Sequence, residues 1–328
     1  MIEIHRVLIS DDIDSICVDI LREAGVHVTL NSKLSKEDLL KEVETYDALI
    51  VRSATKVTKE VMAAGKNLKL IGRAGTGVDN IDVEEASKRG IVVMNTPAGN
   101  SRSAAELTCA MIMALARHLA AACASMKAGK WDRKTFMGTE VYGKTLAVIG
   151  LGRIGREVAD RMRAFGMKTI GYDPIITAEQ SKLFGVEWLP LESIWPQADY
   201  ITVHVPLIPE TENLINASVL SKCRKGVYVI NCARGGIVDE SALLDALKTG
   251  QCAGAGLDVY LEEPPKNIAL IEHSKTVCTP HLGASTLEAQ QRVAGEIAEQ
   301  IVALNRRQGI CGVVNGQAVA AALDLNKV

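Results

Sequence analysis

The segment between residues 145 and 173 constrains the fold more than any other part of the sequence. An apolar run, Leu146–Ile149, is typical of a buried parallel strand, and apolar residues recur at helical spacing from 153 to 165. A second apolar stretch, residues 168–172, ends at Asp173. Between the first strand and the helix lies the pattern G-x-G-x-x-G, formed by Gly150, Gly152 and Gly155. These elements together predict a β-strand–helix–β-strand unit that binds a dinucleotide.

Each part of this pattern has a physical reason. Gly150 permits a tight turn, Gly152 lets a pyrophosphate approach the backbone, and Gly155 lets the helix pack closely on the strand. The unpaired N–H groups at the start of the helix attract phosphate. Asp173 is placed to accept hydrogen bonds from the adenosine ribose, and its charge would repel a 2′-phosphate. The expected cofactor is therefore NAD rather than NADP.

Composition narrows the class of protein. The chain has 328 residues, enough for two ordinary domains, of which 48% are hydrophobic and 23% charged. Its net charge of −2 gives no general attraction to nucleic acid or membranes. The eight cysteines include no C-x-x-C pair, which favours free thiols in a reducing compartment. We expect no metal site.

The most apolar stretch, residues 107–126, is interrupted by Arg117 and His118. We therefore expect a buried helix or a subunit interface there, and no membrane span. Ser103 and Glu106 fit a capping box at the start of one long helix that reaches about residue 126. The first ten residues predict a strand and not a signal peptide, so the expected location is the cytoplasm.

Apolar strands and amphipathic helices alternate along most of the chain, which predicts parallel sheets covered by helices. Strands are expected at 6–10, 26–30, 48–53, 68–73, 91–95, 200–205, 227–232, 253–259 and 276–279, besides the two described above. A long helix is expected from 286 to about 307, and the last twenty or so residues have weak patterning. The predicted fold class is α/β, with doubly wound parallel sheets.

Polar side chains that follow the strands supply candidate chemistry, because open parallel sheets bind ligands at the carboxyl ends of their strands. His281 could take the proton of an alcohol near neutral pH, and Glu263 could orient and stabilise the imidazole. Arg234 could bind a carboxylate through two hydrogen bonds. The three residues suit hydride transfer from a 2-hydroxy acid to a nicotinamide. Each also has a purely structural interpretation, and His204 is a competing base.

A second glycine-rich turn, Gly72–Gly77, could hold an anion on its backbone N–H groups or serve only as a tight turn. Arg52, Arg73 and Arg133 are candidates for binding a further anion on the substrate, such as a phosphate. Arg133 lies in a basic loop, residues 130–134, for which a solvated surface is the alternative interpretation.

Several motifs in a fixed order resemble those of the D-isomer-specific 2-hydroxyacid dehydrogenases. Besides the glycine pattern, they are HVPLIPET (204–211), NCARGGIVD (231–239), LDVYLEEP (257–264) and PHLGAS (280–285). Matches at 51–56, 72–80, 94–100 and 131–133 resemble the animal branch of that family. That branch oxidises 3-phospho-D-glycerate to 3-phosphohydroxypyruvate with NAD, in the first step of serine biosynthesis.

The resemblance implies roles for individual residues. The implied catalytic residues are Arg234, Glu263 and His281. The implied contacts with NAD are Thr76, Gly150, Gly152, Arg153, Ile154, Gly155, Asp173, Cys232, Ala233, Arg234, Asp258, His281, Gly283 and Ala284. The implied contacts with substrate are Arg52, Ser53, Arg73, Gly75, Asn100, Arg133, Arg234 and His281.

The resemblance also implies a domain organisation. An NAD-binding Rossmann domain, residues 99–285, would be inserted into a discontinuous substrate-binding domain, residues 1–98 and 286–306, and 307–328 would form a C-terminal tail. The helix after residue 103 would form the interface of a homodimer, in which Arg133 reaches the partner's site. Longer members of this branch carry C-terminal regulatory domains, and we expect a short form without them.

Two other functions fit the same motifs. A glyoxylate or hydroxypyruvate reductase would use the same catalytic residues but would not need Arg52 and Arg133 for a phosphate. An NAD-sensing binding protein that resembles the family's transcriptional corepressors could keep the catalytic residues and recruit a partner through its N-terminal domain.

Overall fold

The computed structural model describes residues 2–320, and the chain divides into two compact units. The first consists of Met1–Asn100 with Ala284–Val328, and the second of Ser101–Gly283. Both are α/β units with a parallel sheet, which confirms the predicted fold class. The predicted crossings, after residues 98 and 285, each lie two residues from the boundaries of these units.

The secondary structure alternates as the sequence predicts. The strands are β1 (Arg6–Ile9), β2 (His27–Leu30), β3 (Ala48–Val51), β4 (Leu70–Arg73), β5 (Val92–Asn95), β6 (Thr145–Ile149), β7 (Lys168–Tyr172), β8 (Glu187–Trp188), β9 (Tyr200–Val203), β10 (Val227–Asn231), β11 (Cys252–Leu257) and β12 (Thr276–Cys278). The helices are α1 (Ile16–Glu23), α2 (Lys36–Glu42), α3 (Lys59–Ala64), α4 (Val83–Lys88), α5 (Ser101–Ala116), α6 (Leu119–Lys127), α7 (Arg153–Ala164), α8 (Ala178–Leu183), α9 (Leu191–Ile194), α10 (Ala217–Lys222), α11 (Glu240–Thr249), α12 (Ile268–Ile271) and α13 (Leu287–Asn305). A short 3₁₀ turn covers Val43–Thr45.

The sheet of the first unit has five parallel strands in the order β2-β1-β3-β4-β5. Its strands are apolar on both faces, and successive residues of a strand enter opposite halves of the core. Val7 and Ile9 pack with α1 and α13, whereas Leu8 packs in the cluster that contains Leu39 of α2 and Val61 of α3. Helices therefore cover both faces of this sheet.

The sheet of the second unit has seven parallel strands in the order β12-β11-β10-β9-β6-β7-β8. The order reverses between β6 and β9, and such a reversal creates a crevice at the carboxyl ends of the two strands. Ala147 and Ile149 of β6 face one half of the core, and Leu146 and Val148 face the other. The glycine pattern follows β6 directly, so the local sequence signal and the topology indicate the same place.

The predicted long helix after residue 103 is two helices. Helices α5 and α6 meet at an angle of 67° at Arg117 and His118, and His118 has the left-handed backbone angle φ of 50°. The capping-box prediction is wrong, because α5 begins at Ser101 and Ser103 lies inside its first turn. Within residues 2–320 no single helix is long and apolar enough to cross a membrane, although the bent pair passes that test together.

The segment after α13 packs on the first unit, although residues 307–328 are predicted from the sequence to form a tail. Val313 forms an antiparallel bridge with Met94 of the edge strand β5, and Val319 is 2% exposed. The buried side chain of Asn315 accepts a hydrogen bond from Val93 N (2.9 Å) and donates to Ile91 O (2.9 Å). This segment thus covers a sheet edge that would otherwise be open. Residues 321–328 of the predicted tail lie outside the described part of the chain.

We predict that Asn315→Ala lowers the free energy of unfolding by about 2 kcal/mol, because it leaves the N–H of Val93 and the C=O of Ile91 buried without these partners. Urea unfolding measures the change. The control is Gln317→Ala in the same segment, whose exposed side chain should contribute less than about 0.5 kcal/mol. Equal losses in the two variants would contradict this account of the edge.

Candidate active site

The glycine turn after β6 is built by close backbone approaches. Gly150 has a φ of 96°, and a Cβ atom on it would lie 2.5 Å from the carbonyl oxygen of His204. A Cβ on Gly155 would lie 2.0 Å from the carbonyl oxygen of Gly150. Gly152 differs, because a Cβ there would have no neighbour within 4 Å.

Gly152 is also the N-cap of α7, and no side chain caps that helix. The first N–H groups of α7 therefore have no side-chain cap, and at the start of the helix Gly152 and Arg153 are exposed and Ile154 is half-buried. Such a cradle fits the pyrophosphate of a dinucleotide.

Asp173 lies at the end of β7 and connects this strand to the glycine turn. Its carboxylate accepts hydrogen bonds from the backbone N–H groups of Leu151 (2.8 Å) and Ile175 (2.9 Å). The indole of Trp188, on the short strand β8, donates to the carbonyl of Asp173 (3.2 Å). The carboxylate is therefore held in one orientation at the position where the sequence predicts a contact with ribose.

His281 and Glu263 form a pair. The distance between His281 Nδ1 and Glu263 Oε2 is 2.8 Å, and the other carboxylate oxygen accepts a hydrogen bond from Tyr260 N at 3.3 Å. Both side chains are partly exposed, at 50% and 40%. His281 has a φ of 55°, a left-handed conformation that is unusual outside glycine and is concentrated at functional sites.

Asp258 organises the loop that carries His281. Its fully buried carboxylate accepts hydrogen bonds from Thr279 Oγ1 (2.5 Å), Leu282 N (2.7 Å) and Gly283 N (2.8 Å). The N–H of His281 donates to the carbonyl of Asp258 at 2.9 Å. The resemblance implies a contact of Asp258 with the cofactor, and the structure shows it supporting the histidine loop.

Arg234 lies in the loop after β10. Asn231 shapes this loop by accepting a hydrogen bond from Ala233 N (3.0 Å) and donating to Arg234 O (2.8 Å). A Cβ on Gly235 would lie 1.8 Å from the carbonyl oxygen of Tyr260, so glycine allows the Arg234 loop to lie against the loop of Glu263. The structure thus brings the loops of the three predicted catalytic residues together in the second unit.

Two further candidates of this unit, Cys232 and His204, have pKa values shifted by their surroundings. Burial raises the pKa of the Cys232 thiol to about 12, and its sulfur lies 3.4 Å from the sulfur of Met111. A contact of Cys232 with a ligand would therefore come from its backbone. Burial lowers the pKa of His204 to about 3, and its Nε2 lies 2.9 Å from Thr202 Oγ1. A neutral histidine with a hydroxyl partner is a poorer base than His281 with its carboxylate.

The substrate candidates of the first unit follow β3, β4 and β5. Arg52 and Ser53 come directly after β3, and Arg73 ends β4. The guanidinium of Arg73 lies over Gly75, since a Cβ on Gly75 would be 2.1 Å from Nη1 of Arg73.

Thr76 and Asn100 also meet in this unit. The hydroxyl of Thr76 donates to Asn100 Oδ1 at 2.6 Å. Ala284 begins the second segment of the same unit. Arg133 belongs to the other unit, in the exposed segment after α6 that also contains Trp131 (74% exposed). Within residues 2–320, no group of His, Cys, Asp and Glu side chains could hold a metal ion.

Residues 109–283 match the family described as D-isomer specific 2-hydroxyacid dehydrogenase, NAD binding domain. The chain belongs to this family. It is 60% identical to the D-3-phosphoglycerate dehydrogenases of Sus scrofa and Homo sapiens, over 98% of its length and 60% of theirs. The corresponding enzyme of Bacillus subtilis is 47% identical over 94% of this chain and 59% of the relative. The chain thus spans about three fifths of the length of these relatives.

Two solved structures with other names have the same fold. A D-lactate dehydrogenase of Aquifex aeolicus, solved with NAD and lactic acid, has a TM-score of 0.83 at 30% identity, covering 95% of this chain and 99% of that one. A glyoxylate reductase of Paecilomyes thermophila has a TM-score of 0.86 at 28% identity, covering 97% and 100%. The NAD cofactor predicted from the glycine pattern is confirmed by the family match.

The second and third glycines of the turn, Gly152 and Gly155, should respond differently to alanine. Gly155→Ala should lower the free energy of unfolding by about 3 kcal/mol, because its Cβ would collide with a backbone oxygen. Gly152→Ala has space for its Cβ, so the protein should unfold at nearly the temperature of the wild type but bind NAD at least about tenfold more weakly. Thermal unfolding and calorimetric titration with NAD measure the two effects. Wild-type affinity in Gly152→Ala would remove the cradle as the pyrophosphate site.

Proposed function

We propose that this chain catalyses the NAD-dependent oxidation of 3-phospho-D-glycerate to 3-phosphohydroxypyruvate, in the first step of serine biosynthesis. The observation that carries the proposal is the His281–Glu263 pair beside the Arg234 loop. It occurs in a chain that is 60% identical to mammalian D-3-phosphoglycerate dehydrogenases. The proposed location is the cytoplasm.

The His281–Glu263 pair is suited to remove a proton from an alcohol. When His281 Nδ1–H donates a hydrogen bond to Glu263, Nε2 keeps a lone pair that can accept the proton of the substrate's 2-hydroxyl. The charge of Glu263 then stabilises the imidazolium that forms. Bound NAD supplies the hydride acceptor that the oxidation requires.

Arginines supply the recognition of the substrate's two anionic groups. The planar guanidinium of Arg234 can bind a carboxylate through two parallel hydrogen bonds, next to the carbon that is oxidised. Arg52, Arg73 and Arg133 are the proposed partners of further negative charge, and a phosphate is the group that distinguishes this substrate from glyoxylate or hydroxypyruvate. Ser53, Gly75 and Asn100 complete the proposed contacts in the first unit.

We propose a homodimer whose interface includes α6. This helix buries none of its side chains within the single chain. Leu119 and Met126 are 62% and 53% exposed, and the segment that follows exposes Trp131 and Met137. Apolar side chains exposed in one continuous segment are typical of a surface covered by a second subunit. Arg133 lies in this segment, so it would act in the partner's site.

The proposed activity is tested by NAD-linked assays of the purified chain with 3-phosphoglycerate, with trapping of the product, and in reverse with 3-phosphohydroxypyruvate. Turnover with both is expected. Brisk reduction of glyoxylate or hydroxypyruvate without turnover of the phosphorylated pair would favour the reductase alternative. NAD binding without any turnover would favour the NAD-sensing alternative.

We predict that His281→Ala lowers kcat by at least about 10²-fold, because the base is lost, and that Glu263→Gln lowers it by about tenfold or more, because the imidazolium loses its counter-charge. Both variants should bind NAD with nearly the wild-type affinity in a calorimetric titration. The control is Glu262→Gln, since Glu262 is paired with Lys266 and not with the histidine. Normal turnover in His281→Ala would exclude His281 as the base.

Mixed dimers test whether Arg133 acts across the interface. At low 3-phosphoglycerate concentration, Arg133→Ala and His281→Ala should each be nearly inactive alone. In a mixed dimer, the subunit with an intact His281 receives an intact Arg133 from its partner, so activity should return on mixing and refolding the two variants. Mixing without any gain of activity would place Arg133 in its own subunit's site or outside the site.

A further inference from the structure

The switch point of the first unit lies between β1 and β3, where the order β2-β1-β3-β4-β5 reverses. Asp11 follows β1 and Arg52 follows β3, so both lie at the edge where such sheets bind ligands. Asp11 is 5% exposed, and a carboxylate so deeply buried requires hydrogen-bond donors. Its donors come from the segment that begins with Arg52.

Asp11 holds the N–H groups of this segment. Its Oδ2 accepts from Arg52 N (2.5 Å) and Thr55 N (3.2 Å), and its Oδ1 accepts from the hydroxyl of Thr55 (2.6 Å). The hydroxyl of Thr55 also lies 2.9 Å from that of Ser10. The lone pairs of Asp11 are thus used inside the protein, and its charge is partly balanced by these donors.

Asn80 binds the carbonyl groups of Arg52 and Thr55. Its Nδ2 donates to Arg52 O (2.7 Å) and to Thr55 O (2.7 Å). Its Oδ1 accepts from Nε of Arg73 at 3.3 Å. Asp11 therefore binds the N–H groups of Arg52 and Thr55, and Asn80 binds their C=O groups. Asn80 also forms a hydrogen bond with Arg73.

The guanidinium of Arg52 is also held next to Asp11, since its Nη1 donates a hydrogen bond to the carbonyl of Asp12 at 3.1 Å. We propose that Asp11 and Asn80 are positioning residues that fix Arg52 and Arg73 for the phosphate of the substrate. This inference rests on the proposed function. It predicts that the pair governs affinity for the phosphorylated substrate and leaves hydride transfer and NAD binding unaffected, because a small displacement of a positioned group costs binding or rate by large factors.

Steady-state kinetics of the full chain with NAD test the proposal through Asp11→Asn and Asn80→Asp. Each variant keeps the size of the side chain. Asp11→Asn replaces an accepting oxygen with an amide nitrogen, and Asn80→Asp replaces the donating amide nitrogen with a carboxylate oxygen. We expect KM for 3-phosphoglycerate to rise at least about tenfold with kcat within about threefold. KM for a phosphate-free 2-hydroxy acid, D-glycerate, and Kd for NAD should change less than about twofold.

The matched control is Asp12→Asn, which removes the same charge one residue away and keeps the backbone carbonyl that Arg52 contacts. It should leave both KM values unchanged. Should Asp11→Asn not fold, Thr55→Val removes only the hydroxyl, and Thr55→Ser restores it. We expect Thr55→Val to raise KM for 3-phosphoglycerate and Thr55→Ser to return it to the wild-type value.

The outcomes distinguish failure of the positioning role of Asp11 and Asn80 from failure of the proposed activity. If the wild type turns over 3-phosphoglycerate and the variants lose kcat equally with both substrates, or show an unchanged KM, Asp11 and Asn80 are only structural and the inference is wrong. If the wild type does not turn over 3-phosphoglycerate at all, the proposed function fails and the inference fails with it.

Discussion

Parallel pairing of strands is the constraint on which the other features of this protein depend. In a parallel sheet every strand ends at the same edge, so the residues that follow the strands meet there although they are far apart in sequence. The glycine turn follows β6, Asp173 follows β7, and the loops of Arg234 and His281 follow β10 and β12. The five-stranded sheet does the same for Arg52 and Arg73.

Three aspartates that follow strands hold these loops in place. Asp11, Asp173 and Asp258 each follow a parallel strand, and each accepts backbone N–H groups from a loop that carries a candidate ligand contact. A charged acceptor forms stronger hydrogen bonds than a neutral one, so a single carboxylate can fix a loop that contains no regular structure. Rigid loops are what a site needs in order to hold its reacting groups in one geometry.

Much of the fold could be predicted because its signals are local. The predicted strands at 168–172 and 276–279 agree with β7 and β12 to within a residue, since a buried parallel strand is a short apolar run whose ends are marked by polar residues. The sequence predicts one helix where α5 and α6 lie, because both are apolar and the break between them depends on the left-handed backbone angle of the single residue His118. The covering of β5 by residues 313–315 was also missed, since that segment has no periodic pattern.

The fold class, the place of the NAD turn and the candidates Arg234, Glu263 and His281 follow from the amino-acid sequence, because each depends on residue type at fixed spacing. The difference between His281 and His204 emerges only in three dimensions, since His281 pairs with a carboxylate 18 residues away whereas burial lowers the pKa of His204. The tertiary structure also assigned the buried carboxylates of Asp11 and Asp258 to the loops they hold. Hydrogen bonds between residues distant in the chain exist only once the strands are paired, and no local pattern records them.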